Sequence, residues 1–129
     1  MSDTARSNKD LVKTFMELLS SGRQDEALAY IDPDADWWTA NGTMRPGDLV
    51  QISRSVLPYL EAPLDMKLGL MTAEDDRVSL EAHCTGQRTN GTVYDNNYHF
   101  LFTVKDGKIV KVREHQDTRH VADVWSDVF

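Results

Sequence analysis

Three side chains that can exchange protons stand where a folded sheet brings them together: His83, Tyr98 and Glu114. Turn chemistry carries the argument. Asn90-Gly91 favours a two-residue type I′ loop, which pairs Thr89 with Thr92 and sets His83 opposite Tyr98, Glu81 opposite Phe100 and Ser79 opposite Phe102. The next turn, around Asp106-Gly107, admits two registers. A two-residue loop puts Lys111 and Arg113 beside Phe102 and Phe100. A three-residue loop, with Gly107 left-handed in a bulge, puts Val110, Val112 and Glu114 opposite Phe102, Phe100 and Tyr98. A slip of one residue exchanges the two faces of a strand. The apolar pattern selects the second register, which groups aromatic residues with valines. The expected result is a row of His83, Tyr98 and Glu114 on an otherwise apolar face. Burial there raises a carboxyl pKa and lowers an imidazole pKa, bringing both toward neutrality, where general acid–base catalysis works best. Glu114 is the expected general base or acid and His83 its partner or a water-positioning group. Tyr98 is a hydrogen-bond donor to a developing oxyanion.

The elements that must position these groups follow from periodicity. Asn8 to Ser21 carries Leu11, Val12, Phe15, Met16, Leu18 and Leu19 at helical spacing and stops at Gly22. Asp25 to Ile31 reads as a shorter helix ending before Asp32-Pro33. Trp37 to Ala40 reads as a short strand, and Pro46 opens a third helix with Leu49, Val50, Ile52, Val56 and Leu57 on one face. From Leu64 the period becomes two, with strands expected at about 65–72, 77–86, 92–105 and 108–116. The tail from His120 to Phe129 reads as a short helix or arm. Helices first and a meander of antiparallel strands after them mean an α+β fold.

Length and charge narrow the function. The 129 residues suit a single domain spanning 1–129, with a formal charge of −7 that argues against a duplex nucleic-acid binder. No apolar run is long enough to span a bilayer, and Met1 to Arg6 lack the apolar core of a signal peptide, so a cytoplasmic protein without membrane association is expected. Cys84 is the single cysteine, which excludes an internal disulfide and a cysteine-based zinc site. His115 and His120 beside Glu114 define no ligand geometry, so neither a metal nor another cofactor is expected.

A hydrophobic small-molecule ligand would be walled by one of Trp37 and Trp38, which point to opposite faces of their strand, with Trp38 beside Tyr59 the expected one, together with Glu81, Phe100, Val112 and His99. Alternation alone makes Val78, Leu80, Ala82 and Cys84 the core side of their strand, in conflict with an inward His83. With His83 inward, the face of Val78, Leu80, Ala82, Cys84, His99, Leu101, Thr103 and Ile109 is too apolar for water and predicts a homodimer.

The run from Gly91 to Phe102, then Asp106-Gly107-Lys108-Ile109-Val110 and Arg113-Glu114-His115-Gln116-Asp117-Thr118, resembles the SnoaL-like, ketosteroid-isomerase-related branch of the nuclear-transport-factor-2-like superfamily. The resemblance covers roughly Leu11 to Val124. It implies N-terminal helices packed in the concavity of a strongly curved antiparallel sheet, a cone-shaped α+β barrel. In ketosteroid isomerases the first strand carries a catalytic aspartate, where this chain has Thr39, which speaks against steroid isomerisation. Against the limonene-epoxide-hydrolase pattern of an Arg and two Asp, the chain offers Glu81, His83 and Glu114. Glu114-His115-Gln116-Asp117 is similar to the acidic and histidine stretch of SnoaL-like cyclases, and the paired histidines of some dehydratases point to His83 and His99. The implied function is a small cofactor-independent isomerase, cyclase or dehydratase acting on a hydrophobic metabolite. The alternative is a non-catalytic ligand-binding or association module of the same fold.

Overall fold

The computed structural model describes residues 2–129. Helix α1 (Asp3–Ser20) starts earlier than the apolar stripe suggests, because Ser2 caps it by accepting from the Ala5 amide at 3.1 Å. It buries Ala5, Val12, Phe15 and Met16 against the sheet. A short α2 (Gln24–Ala27) runs into one 3₁₀ turn at Leu28–Tyr30. Strand β1 (Ile31–Thr39) therefore takes up Ile31 and is much longer than expected. Pro33 sits where pairing to the neighbouring strand is interrupted between Ile31 and Asp36, so its missing N–H leaves no ladder bond unmade. After β2 (Gly42–Met44), α3 (Pro46–Ser55) and a 3₁₀ turn at Leu57–Tyr59 come β3 (Asp65–Glu74), β4 (Arg77–Gln87), β5 (Val93–Lys105), β6 (Lys108–Gln116) and α4 (Thr118–Trp125). The α+β class and the four later strands are as expected.

The six strands form one curved, unclosed sheet in the order β2-β1-β6-β5-β4-β3. All neighbours are antiparallel except β1 and β6, which run parallel with Trp37 beside Val112 and Trp38 beside Arg113. The helices lie in the concavity, where Phe15, Trp37, Phe100 and Phe102 form the centre of the core.

Both predicted registers are corrected. The β4–β5 loop has three residues, not two: Arg88 accepts from Gly91 and donates to Thr92, and Gly91 is left-handed at φ 89°. This is the type I turn followed by a left-handed residue and a bulge that three-residue hairpins use. Ala82 thus lies opposite Tyr98, Leu80 opposite Phe100 and Val78 opposite Phe102, while His83 lies opposite Asn97. The β5–β6 loop has two residues, Asp106 and Gly107, both with positive φ. An extra residue in β6 follows, so the pairing moves from Val104–Ile109 to Thr103–Lys111. That bulge restores Val112 opposite Phe102 and turns Glu114 inward opposite Phe100.

The inner face accordingly holds Val78, Leu80, Ala82, Cys84 and Ile109, all buried. They form the core of the cone and not the partner-facing surface predicted for them. The outer face carries Ser79, Glu81, His83, His99, Leu101, Thr103, Arg113 and Trp38.

Helix α4 closes the far end of the cone over Val56, Leu60, Cys84 and Tyr94 with Val124 and Trp125. Arg88, almost fully buried, fastens it: its guanidinium donates to the Val124 carbonyl at 2.6 Å and to both Asp127 carboxylate oxygens at 2.7 and 2.8 Å. It also lies over the Tyr59 and Trp125 rings at 5.6 and 5.0 Å. Among the described residues no helix is long and apolar enough to cross a membrane.

Candidate functional site

Among the described residues the buried polar or charged ones are Thr39, Arg88, Asn96 and Glu114. Thr39 hydrogen-bonds within the β1–β2 turn, and Arg88 is matched by Asp127. Glu114 and Asn96 are left, and both face the interior of the cone.

Glu114 is 9% exposed, and no basic side chain among the described residues forms an ion pair with it. One oxygen, Oε1, accepts from the Trp37 indole Nε1 at 3.2 Å. Burial pushes the carboxyl pKa up to about 7, and the indole hydrogen bond opposes that only in part. Tyr98 stacks on Phe100 at 5.6 Å between ring centroids, and Phe100 meets Trp37 edge-on at 6.4 Å. The acid therefore sits in an aromatic box.

Asn96 organises the hydroxyls beside it. Its Nδ2 donates to the Tyr94 hydroxyl at 3.0 Å and to the Asp117 carbonyl at 3.2 Å, and its Oδ1 accepts from the Asp117 amide at 3.2 Å. The Tyr94 hydroxyl in turn bonds the Tyr98 hydroxyl. Either hydroxyl can be the donor in that bond; with Tyr94 donating, the Tyr98 proton is left unengaged, and with Tyr98 donating, the Tyr94 proton is. Desolvation drives the pKa of both phenols upward, so both stay protonated and serve as donors.

The expected residues divide cleanly. Glu114, Tyr98, Phe100, Val112 and Trp37 face the interior. His83 does not join them: on the outer face its Nδ1 contacts Asn97 Oδ1 at 2.6 Å and its Nε2 contacts Asp95 at 2.7 Å. Glu81 and His99 are on the same outer face, His99 against Ser79 Oγ at 2.5 Å. Trp38 is also outside, under Arg113 at 4.2 Å and beside the His115 ring at 5.1 Å. Tyr59 is exposed and contacts Arg88 at the α4 end. The predicted row of His83, Tyr98 and Glu114 is therefore replaced by Tyr94, Asn96, Tyr98 and Glu114 with Trp37. The missed members carried a signal, since Tyr94, Asn96, Tyr98, Phe100 and Phe102 alternate along one strand and share a face. Among the described residues no three His, Cys, Asp or Glu side chains come together as a metal site.

The SnoaL-like domain family matches residues 12–112. No curated protein matches the chain. Solved structures share its fold at low identity. PrhC from Penicillium brasilianum is 14% identical over 96% of this chain and 89% of its own, with a TM-score of 0.83. An NTF2-like protein of unknown function from Burkholderia pseudomallei K96243 is 17% identical, covering 95% and 97%, with a TM-score of 0.78. A provisional SnoaL-like polyketide cyclase from Jannaschia sp. CCS1 is 19% identical, covering 94% and 92%, with a TM-score of 0.76.

The Glu114 pKa has a stability consequence. A carboxyl whose folded pKa exceeds its unfolded value holds its proton more tightly in the native state. Its contribution is complete below the unfolded value of 4.5 and is lost as pH rises through about 7. The total loss is about 3 kcal/mol. Glu114→Gln removes this dependence, so chemical denaturation should show the variant gaining about 3 kcal/mol on the parent protein between pH 4.5 and pH 8. A constant difference across that range would contradict the assignment.

Proposed function

The chain belongs to the SnoaL-like domain family, and we propose that it is a small acid–base enzyme of isomerase, cyclase or dehydratase type acting on a hydrophobic metabolite. The observation that carries this reading is the buried, unpaired Glu114 with a pKa near neutrality, inside an aromatic box and close to a chain of hydroxyl donors. At neutral pH both protonation states of Glu114 are populated, so it can remove a proton from an acidic C–H and return it elsewhere. Enolisation places negative charge on the substrate oxygen. Tyr98, polarised by Tyr94 and Asn96, is the donor for that charge. Trp37 holds Glu114 Oε1 and thereby leaves Oε2 as the atom that exchanges the proton. The aromatic walls favour a flat or polycyclic ligand. The neighbour described as a polyketide cyclase supports this class of substrate through likeness of fold alone.

Deuterium exchange into carbonyl compounds carrying an acidic α-hydrogen, followed by NMR, tests the chemistry without knowledge of the natural substrate. Glu114→Gln should lower the catalysed exchange by at least about a thousandfold and Tyr98→Phe by about ten- to a hundredfold. Ligands that bind without any exchange in the unaltered protein would favour the non-catalytic binding module.

The outer face, with Leu101 half-buried between Ser79 and Arg113, is the proposed homodimer surface. Size-exclusion chromatography with light scattering should show a dimer that Leu101→Arg converts to monomer. A monomeric unaltered protein would overturn this assignment.

A further inference from the structure

Glu114 is buried inside the cone, and two approaches to it are available. At the α4 end, entry must break the paired hydrogen bonds between Arg88 and Asp127, the bond to the Val124 carbonyl and both contacts between Asn96 and Asp117. It must also bare Val124 and Trp125, each 4% exposed. A second approach is a groove of about 230 Å³ between α1 and β3, floored by Met16, Leu64, Met66 and Leu68. Among the described residues no hydrogen bond or ion pair spans it. Methionine side chains have three rotatable bonds and repack cheaply.

We propose that ligands enter the cone through this groove, past Met66, and that the route admits neutral or cationic molecules and turns away anions. This deepens the acid–base reading above and rests on it for the importance of Glu114, but not for the existence of the route. Register supplies the connection. Leu68, Ala82 and Tyr98 form one inner row across β3, β4 and β5, and Met66, Cys84 and Asn96 form the next. Two strand spacings separate the groove from Tyr98 and Asn96, roughly 10 Å. The residues in between, Ala82 and Cys84, are the smallest on the inner face of β4, where Val78 and Leu80 fill the space further along. Met66 packs against both hydrophobic clusters of the molecule, and Tyr98 does the same. The Cys84 thiol, whose pKa burial and then the Asp65 and Glu114 carboxylates together push up to about 12, stands within electrostatic reach of both the groove and the acid.

Charge decides the selectivity. The charged side chains lining the groove are Glu17 and Asp65, and no basic residue lines it. Lys67 approaches Asp65 only at 3.9 Å, and both are exposed. Inside, Glu114 is a third carboxylate, and the buried cation Arg88 is already matched by Asp127. An anion thus meets carboxylates at each stage and, among the described residues along this route, finds no free cation.

The test uses three probes of similar shape, 2-phenylethylammonium, 2-phenylethanol and 3-phenylpropanoate, titrated into the isotope-labelled full chain and followed by amide NMR. The ammonium and the alcohol should shift amides at 16–21, 64–68 and 94–98, with the ammonium binding at least about fivefold more tightly than the propanoate. Glu17→Gln combined with Asp65→Asn should bring the probes to within about twofold of one another. Shifts confined to Arg88 and 118–129, equal binding of the propanoate, or no binding of any probe would overturn the proposal. Glu114→Gln separates the two claims. If it still shows the groove shifts while the unaltered protein catalyses no deuterium exchange, the route stands and the acid–base reading falls.

Discussion

One additional residue in β6 governs what the interior of this protein can do. After the Asp106-Gly107 turn, an uninterrupted ladder would send Lys111 and Arg113 into the cone and expose Val112 and Glu114. The bulge reverses this by inserting a residue between the Val104–Ile109 and Thr103–Lys111 pairs. Two consequences follow together. The core gains Val112, and it gains an acid that must be accommodated without a counter-ion.

That accommodation shapes the surroundings of Glu114. A carboxylate with no cation beside it is expensive to keep charged away from water, so the group shifts toward its neutral form instead. Trp37 offers one hydrogen bond, enough to orient the acid but not enough to hold it ionised. The aromatic neighbours contribute packing and stacking rather than charge. The protein thus keeps a buried titratable group whose pKa burial raises toward neutrality. Asn96 joins this chemistry to the architecture: the same amide that supports the Tyr94 hydroxyl also fixes Asp117 at the start of α4.

Much of this was legible in the sequence. The change of period at Leu64, the four later strands and the α+β order are plain in the pattern of apolar residues and turns. The inward placement of Glu114, Tyr98, Phe100 and Val112 also emerged, although through a register with the wrong pairings. His83 was misplaced because Asn90-Gly91 signals a two-residue loop, while the chain uses Gly91 as the left-handed third residue. The alternation of Val78, Leu80, Ala82 and Cys84 was the sounder guide on β4, since burying four apolar side chains outweighs one turn preference. Nothing local announces the β6 bulge or the parallel pairing of β1 with β6, because both are set by packing between distant segments. The same holds for Arg88, whose role depends on Asp127 and Trp125 far along the chain.

The central claim is that Glu114 is a buried acid poised near neutrality. Its most direct test is the pH titration of the Glu114 side-chain carboxyl by carbon-13 NMR, assigned by comparison with Glu114→Gln. The expected midpoint is about 7, well above the 4.5 of an ordinary glutamate. A midpoint at or below 4.5 would show that the group is hydrated or paired, and would remove the proton-transfer chemistry built on it.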